Sequence, residues 1–215
     1  MSGAVTYENR PNRNRECKIM TIVSEKGGSG KTTLAYLLAS AGIAKGLRVH
    51  CVDTDRNPQF LNWKGSCEKA HPDRTYDFPK NLSASKLPNN ADAIEVHLAQ
   101  KSKEADILII DTRPGRYEDI EDAAYASDVI LVPGMPRSGE INLLSSTCDW
   151  MFQCRAAFPD MTSFPPIVVP VMNADLMMLR AFEEKEVDNL TDADYAIYKR
   201  VGELTYLPTI IPNSK

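Results

Sequence analysis

The chain has 215 residues, of which 43% are hydrophobic and 25% are charged, and its formal net charge is −4. This length suits one folded domain, because a chain divides its core between domains only beyond about 250–300 residues. The negative charge excludes a wholesale basic surface for nucleic acid, so any contact with DNA must come from a local patch. No apolar run approaches the ~20 residues that cross a bilayer, and the first residues lack an apolar signal core, so we expect a cytoplasmic protein.

The chain begins with a polar segment that shows no hydrophobic periodicity. Residues 1–17 are rich in Asn and Arg, and we predict a flexible tail followed by one folded domain over residues 18–215. Five cysteines form no C-x-x-C pair, which favours buried free thiols over a disulfide or metal framework.

Short apolar runs alternate with helical stretches over the rest of the chain. The runs are Ile19–Val23, Val49–Val52, Ile107–Ile110, Val129–Val132, Ile167–Val171 and a late one at Thr209–Ile211. Because they are apolar throughout, they indicate strands buried on both faces. We therefore predict a single-domain α/β fold with a twisted, mostly parallel sheet and helices on both faces. Residues 71–90 are polar and rich in proline, and here we predict a loop with a weak strand at Tyr76–Phe78.

A glycine-rich segment lies between the first apolar run and the first helical stretch. Residues 24–33 read Ser-Glu-Lys-Gly-Gly-Ser-Gly-Lys-Thr-Thr. Glycines allow the backbone N–H groups to converge on one point, and a helix N-terminus adds partial positive charge there. Lys31 can place its ammonium between the outer phosphates of a nucleoside triphosphate, and the Thr32 hydroxyl can hold Mg²⁺. The predicted nucleotide-binding positions in this loop are Gly27, Gly28, Ser29, Gly30, Lys31, Thr32 and Thr33.

The start of this loop departs from the ordinary phosphate-binding pattern. Glu25 occupies the position where that pattern has its first glycine, and Lys26 follows it. Two lysines around Gly-Gly-Ser-Gly give the form Lys-Gly-Gly-x-Gly-Lys-Thr-Thr, and here the sequence resembles the ParA/MinD family of P-loop ATPases. The resemblance implies ATP and Mg²⁺ as ligands, an ATP-dependent homodimer, and a Lys26 that reaches the nucleotide of the second subunit. The alternative for Lys26 is a solvated surface lysine.

Acidic residues follow two of the predicted strands. Asp53 and Asp55 close the second strand in Cys-Val-Asp-Thr-Asp, and Asp111 ends the apolar run Ile-Leu-Ile-Ile in the form of a Walker B strand. Ligands of parallel sheets bind beyond the carboxyl ends of the strands, so these carboxylates fall where a phosphate-bound cation would lie. The alternative for the first two is an Asp pair that turns the chain and caps a helix beginning near Pro58.

The resemblance also implies roles for these residues. Asp53 and Asp111 would hold Mg²⁺ together with Thr32, whereas Asp55 would orient the attacking water. The catalytic set would then be Lys26, Lys31 and Asp55.

Two positions late in the chain match the adenine contacts of the family. They are Asn173, after the Ile167–Val171 run, and Pro212, after the last run, and turn formation is the alternative for both. Asp111-Thr-Arg113 is similar to the motif of ParA-like proteins that assist conjugal DNA transfer. Arg113 would then sense a phosphate or a partner, with a surface arginine as the alternative.

As a whole, the resemblance implies an ATP-dependent dimerisation switch in plasmid partitioning. Its hydrolysis would be stimulated by a DNA-bound, ParB-like partner; we also expect contacts with non-specific DNA and no membrane partner. The alternatives are an accessory ATPase of conjugal DNA transfer, a dethiobiotin-synthetase-like ligase of small molecules, and a non-hydrolysing nucleotide-binding adaptor. Lys26 disfavours the ligase, because such an enzyme has no use for a lysine aimed at a second nucleotide. Asp55 disfavours the adaptor.

Overall fold

A computed structural model describes residues 17–70, 79–135, 137, 139–156, 166–172, 180–181, 184–204 and 211–212. Its strands are β1 (Lys18–Ile22), β2 (Val49–Asp53), β3 (Leu82–Lys86), β4 (Ile107–Asp111), β5 (Val129–Gly134), β6 (Ile167–Met172) and β7 (Ile211–Pro212). Its helices are α1 (Lys31–Ala44), α2 (Gln59–Ala70), α3 (Ala91–Glu104), α4 (Glu118–Tyr125), α5 (Ile141–Ala156) and α6 (Asp192–Gly202). In these residues no helix is long and apolar enough to cross a membrane.

The described strands form one sheet in the order β3-β2-β4-β1-β5-β6-β7, and every described pair is parallel. This order places β1 between β4 and β5. In a sheet of parallel strands the loops that follow the strands emerge at one edge, and ligands bind where the strand order reverses. The segment after β1 therefore lies at that position.

Alternating residues of the central strands pack on opposite faces of the sheet. Ile109 of β4 packs with α1 and Phe60 of α2, whereas its neighbours Leu108 and Ile110 pack with α3 and α4. All three side chains are 0% exposed. A strand buried on both sides has no polar face, which is why it appears in the sequence as a continuous apolar run. The predicted α/β fold with helices on both faces is confirmed.

β3 corrects the prediction of a loop at residues 71–90. Its sequence, Leu-Ser-Ala-Ser-Lys, has no apolar run, yet it pairs with β2 from Leu82 to Lys86. The polar residues are explained by His50 of β2, whose Nδ1 lies 2.7 Å from Ser83 Oγ and whose Nε2 lies 2.8 Å from Ser85 Oγ. His50 is only 2% exposed, so it needs these hydroxyls as hydrogen-bond partners. The weak strand predicted at Tyr76–Phe78 lies outside the described residues.

The predicted boundary between tail and domain stays a prediction, because residues 1–16 lie outside the described residues. Cys17, which the prediction assigns to the tail, is 1% exposed and packs with β1 and β4. The predicted late strand is represented by β7, which pairs with β6 through Val171↔Ile211 and Met172↔Pro212.

Candidate functional site

The segment between β1 and α1 forms a tight loop that its glycines make possible. Gly28 and Gly30 have φ values of 73° and 94°, which is the left-handed region that residues with a Cβ rarely adopt. Helix α1 begins directly after Gly30, and no side chain caps its N-terminus. Amide groups of the first turn of a helix have no partner within the helix, so this end of α1 favours an anion.

Lys31 lies inside this loop and points back at its backbone. Its Nζ donates to the carbonyl oxygen of Lys26 at 3.0 Å and to that of Ser24 at 3.3 Å. The residue is 7% exposed. Burial lowers the pKa of its ammonium, while the charges of Asp111 and Asp55 oppose that shift. The loop thus holds a buried cation within reach of carboxylates, a suitable environment for the outer phosphates of a nucleotide.

Thr32 and Asp111 join the first turn of α1 to the end of β4. Thr32 Oγ1 donates to Asp111 Oδ2 at 2.7 Å, so two of the residues predicted to hold Mg²⁺ lie in direct contact. Asp111 is 4% exposed, and burial raises the pKa of its carboxyl to about 6. Within the described part of the chain, its buried Oδ1 has no hydrogen-bond partner.

These features fit a divalent cation. A hydroxyl and a carboxylate are the hard oxygen donors that Mg²⁺ prefers, and Mg²⁺ commonly keeps several waters while using one or two such groups. A water held by the cation could donate to Asp111 Oδ1, and the positive charge would return the pKa of the carboxyl towards its ordinary range. The oxygen without a partner is therefore explained by a ligand of this kind.

Asp53 lies beside this pair but makes different contacts. It is the register partner of Asp111 on the neighbouring strand. Its Oδ1 accepts from the backbone N–H of Asp55 at 2.9 Å, and its Oδ2 accepts from that of Gln59 at 2.6 Å. Burial raises the pKa of its carboxyl, and the backbone hydrogen bonds oppose the shift. Asp53 thus caps the start of α2, as the helix-cap alternative describes.

Asp55 is oriented by its own turn. Its Oδ1 accepts from the N–H of Asn57 at 3.1 Å, and the residue is partly exposed. Its charge acts on both Lys31 and Asp111, which places it beside the loop. Thr54 connects the same turn to β4, because its N–H donates to the carbonyl oxygen of Asp111 at 3.1 Å.

Lys26 contacts a carboxylate outside the loop but within the same chain. Its side chain is 47% exposed, and its Nζ lies 2.6 Å from Glu140 Oε1, directly before α5. The remaining predicted loop residues occupy the turn itself and the start of α1. Gly27 is exposed, Ser29 is 4% exposed with a hydroxyl that has no partner among the described residues, and Thr33 lies in the first turn of α1.

Arg113 is held in place by the loop after β4. Its guanidinium donates to both carboxylate oxygens of Asp119 at 2.7 and 2.8 Å and lies 4.1 Å from the centre of the Tyr117 ring. Its Nη1 also donates to the carbonyl oxygen of Thr54. Arg113 thus joins the segment after β2 to the start of α4.

Sequence reasoning missed a cluster at the start of the loop. Arg116 forms a bidentate ion pair with Glu25, and Ser146 and Thr147 of α5 add hydroxyl contacts. The only signal in the sequence was the unusual glutamate at the first loop position, which did not reveal its partner.

The two predicted adenine contacts are not brought to the loop by any described contact. Asn173 lies outside the described residues. Pro212 is the second residue of β7, at the edge of the sheet, where it pairs in register with Met172. Both roles stay predictions.

Comparisons with known sequences show the family of the chain. The profile of the VirC1 protein family matches residues 17–154. A protein virC1 of Rhizobium rhizogenes is 30% identical over 137 residues, covering 63% of this chain and 57% of the relative. A protein ParA of Rhizobium radiobacter is 23% identical over 120 residues, covering 56% of this chain and 50% of the relative. The chain therefore spans about half the length of the curated relatives it matches.

Solved structures share the fold. Apo McdA from Cyanothece aligns with a TM-score of 0.64 at 19% identity, covering 93% of this chain and 87% of that one. The MinC:MinD cell division protein complex of Aquifex aeolicus gives 0.60 at 18% identity, with coverages of 92% and 82%. Cobyrinic acid a,c-diamide synthase of Mycobacterium smegmatis, with ADP and magnesium bound, gives 0.59 at 18% identity, with coverages of 92% and 87%.

Proposed function

Because the chain belongs to the VirC1 family and shares the fold of ParA/MinD-type P-loop proteins, we propose that it is a Mg²⁺-dependent ATPase. The reaction transfers the terminal phosphoryl group of ATP to water, giving ADP and phosphate. Nucleotide state controls whether two chains associate, so the protein acts as a dimerisation switch.

One observation carries this proposal: the contact between Thr32 and Asp111 beside the buried Lys31, with Asp111 Oδ1 left without a described partner. A hydroxyl, a carboxylate and an ammonium thus lie together at the N-terminus of α1, and this arrangement supports a site for a phosphate-bound cation. Phosphoryl transfer needs positioning and charge neutralisation more than covalent chemistry by the protein, and this site provides both.

Each residue has a role in the proposed reaction. Lys31 and the loop amides bind the β- and γ-phosphates, and Asp55 orients the attacking water. Thr32 and Asp111 would hold Mg²⁺, with Asp53 as the further carboxylate of the set, and the cation would supply neutralisation of charge on the phosphates. Both Asp53 carboxylate oxygens accept backbone hydrogen bonds, from Asp55 and Gln59, so a role at the cation would require Asp53 to share or give up these contacts. Asn173 and Pro212 would contact adenine.

Association of two chains supplies the last group. Lys26 of the partner subunit would reach the nucleotide and stabilise the leaving charge, so that hydrolysis depends on dimerisation. In the single chain Lys26 is paired with Glu140, and that pair must open first. The Lys26 side chain is 47% exposed and that of Glu140 is 20% exposed, so opening this partly exposed pair costs about 1 kcal/mol.

In the cell, we propose that this switch serves plasmid DNA partitioning. A DNA-bound, ParB-like protein would stimulate hydrolysis, and the ATP-bound dimer would bind non-specific DNA. The match to a protein ParA supports this role. The alternative role, an accessory ATPase of conjugal DNA transfer, is favoured by Asp111-Thr-Arg113.

A small-molecule ligase is the second class. It is supported by the structural likeness to cobyrinic acid a,c-diamide synthase, although at 18% identity that likeness concerns the fold alone. Lys26 separates the two classes, because only the dimerisation switch uses it.

The decisive experiment measures Mg²⁺-dependent ATP binding and turnover for the wild type, Lys31→Ala and Lys26→Ala. Lys31→Ala should abolish tight binding, whereas Lys26→Ala should retain binding in the single chain and lose dimerisation and turnover. Lys45→Ala, an exposed lysine at the other end of α1, is the matched control and should behave as wild type. A wild type without measurable affinity for MgATP would overturn the proposal. If the Lys26→Ala variant hydrolysed ATP as fast as the wild type, the small-molecule ligase would become the favoured function.

The DNA role has its own test. We expect ATP-dependent retention on arbitrary duplex DNA that weakens as salt is raised, because phosphate contacts release counterions. Absence of retention at low salt would contradict the partitioning role without affecting the ATPase assignment.

A further inference from the structure

Glu25 poses a problem for a site that binds phosphates. Its side chain is 18% exposed at the start of the loop, and the ordinary phosphate-binding pattern has glycine there. An unpaired carboxylate beside an anion-binding loop would repel the triphosphate. Because Arg116 stabilises the charged form, the pKa of Glu25 is lowered and the residue stays ionised at neutral pH.

Arg116 forms an ion pair with the Glu25 carboxylate. Its Nε lies 2.8 Å from Glu25 Oε2 and its Nη2 lies 2.9 Å from Oε1, which is the bidentate arrangement that guanidinium and carboxylate favour. The same Nη2 donates to Ser146 Oγ at 2.7 Å, and the guanidinium lies 5.3 Å from the centre of the Trp150 ring. Thr147 Oγ1 donates to Glu25 Oε1 at 3.3 Å. The segment before α4 and helix α5, both distant from Glu25 in sequence, thus hold the Glu25 carboxylate in place.

Glu25 is linked to Lys31, the proposed phosphate-binding lysine, through the backbone of Lys26. Glu25 is followed by Lys26, whose carbonyl oxygen accepts from Lys31 Nζ at 3.0 Å. A displacement of Glu25 therefore shifts the backbone that orients the Lys31 ammonium. We propose that Arg116 is a positioning residue for the nucleotide: it neutralises Glu25 and holds the start of the loop so that the anion site stays open to a triphosphate. This inference rests on the proposed function.

A stabilising surface ion pair is the simpler explanation, and it makes a different prediction. The Arg116 side chain is 47% exposed, and exposed pairs contribute little to folding. If the pair served only the fold, Arg116→Ala would change stability and leave nucleotide affinity as in the wild type. If Arg116 neutralises Glu25, removing the carboxylate should compensate for removing the guanidinium.

The test measures the Kd of a non-hydrolysable ATP analogue with Mg²⁺ for the wild type, Arg116→Ala, Glu25→Gln and the double variant. We expect Arg116→Ala to weaken binding about tenfold, and the double variant to return within about twofold of Glu25→Gln. Arg48→Ala removes a comparable bidentate pair, with Asp106, at the opposite end of the sheet and should leave the Kd unchanged. Unchanged affinity in Arg116→Ala, or a double variant as weak as Arg116→Ala, would overturn the inference.

A second readout keeps this inference separate from the proposed function. Amide hydrogen exchange of residues 24–31 is measured in nucleotide-free wild type, Arg116→Ala and Arg48→Ala. Faster exchange of this segment in Arg116→Ala alone would support the holding role even if the wild type bound no nucleotide, an outcome that would overturn only the ATPase proposal. Exchange equal to wild type would overturn the holding role.

Discussion

The ammonium of Lys26 lies 2.6 Å from the carboxylate of Glu140 in the same chain. The lysine that we propose to act on a second subunit thus contacts a carboxylate of its own subunit. If the lysine crosses as proposed, this pair must open first, and it would then oppose association.

We predict that Glu140→Gln favours the nucleotide-bound dimer. The dissociation constant measured by sedimentation velocity with a non-hydrolysable ATP analogue should fall about two- to fivefold, since an exposed ion pair contributes up to about 1 kcal/mol. Glu104→Gln, which removes the exposed pair with Lys101 on α3, should leave it unchanged. An unaltered constant in Glu140→Gln would mean that the pair does not compete with association.

Asp111→Asn should remove most of the gain in ATP affinity that Mg²⁺ provides. The wild type should bind ATP more tightly with Mg²⁺ than without, and in the variant that gain should shrink by about 10- to 100-fold, as for other groups that orient metal-bound ligands. Isothermal titration calorimetry with and without Mg²⁺ measures this gain. Ser66→Ala, an exposed hydroxyl on α2, is the control. A gain as large as in the wild type would exclude Asp111 from the cation site.

Asp53→Ala should destabilise the protein even without nucleotide. The substitution leaves the N–H groups of Asp55 and Gln59 without their acceptor at the start of α2. Urea unfolding should show a loss of about 1–2 kcal/mol in the free energy of unfolding, the usual cost of a lost helix cap. Unchanged stability would argue against the capping role.

The buried His50 should make the protein sensitive to acid. Burial lowers its pKa from 6.5 to about 4, so between these values the unfolded chain binds a proton that the folded chain does not. Stability from this residue is therefore present above pH 6.5 and is lost as the pH falls towards 4, by up to about 3 kcal/mol. His50→Asn should flatten the pH profile of urea unfolding in this window.

Without nucleotide, Asp111 should change the pH dependence of stability in the direction opposite to His50. Its pKa is raised from 3.8 to about 6, so the folded state binds the extra proton, and its burial costs most above pH 6. Lowering the pH from 6 to 4 relieves this cost and partly masks the effect of His50. In Asp111→Asn, the loss of stability on acidification should therefore be steeper than in the wild type. A shallower profile would contradict the raised pKa.

The sheet and the glycine-rich loop were predictable because local patterns encode them. The first four residues of the strand Ile107–Asp111 are all apolar because helices cover both faces of the sheet, and the loop glycines directly precede a helix. β3 was not predictable, because Ser83 and Ser85 serve a buried histidine that is more than thirty residues away. Polar residues that satisfy a buried partner look like a loop until the partner is known.

The roles of individual acidic groups needed the structure for a similar reason. Nothing local distinguishes an Asp53 that caps α2 from one that faces a cation. Glu25 and Arg116 are 91 positions apart, and no spacing rule connects them. The sequence therefore pointed to acidic residues at the strand ends, and the structure was needed to show which atoms they contact and that Arg116 lies at the loop.

The central position of β1 in the sheet also affects when its contacts can form during synthesis. The N–H of Ile19 is bonded by Asp128, 109 positions later, and Thr32 by Asp111, 79 positions later. Such contacts close only after the intervening chain exists, because long-range pairing must overcome the entropy of loop closure. During synthesis, β1 and the start of α1 therefore lack these two contacts until the segments that carry Asp111 and Asp128 have left the ribosome.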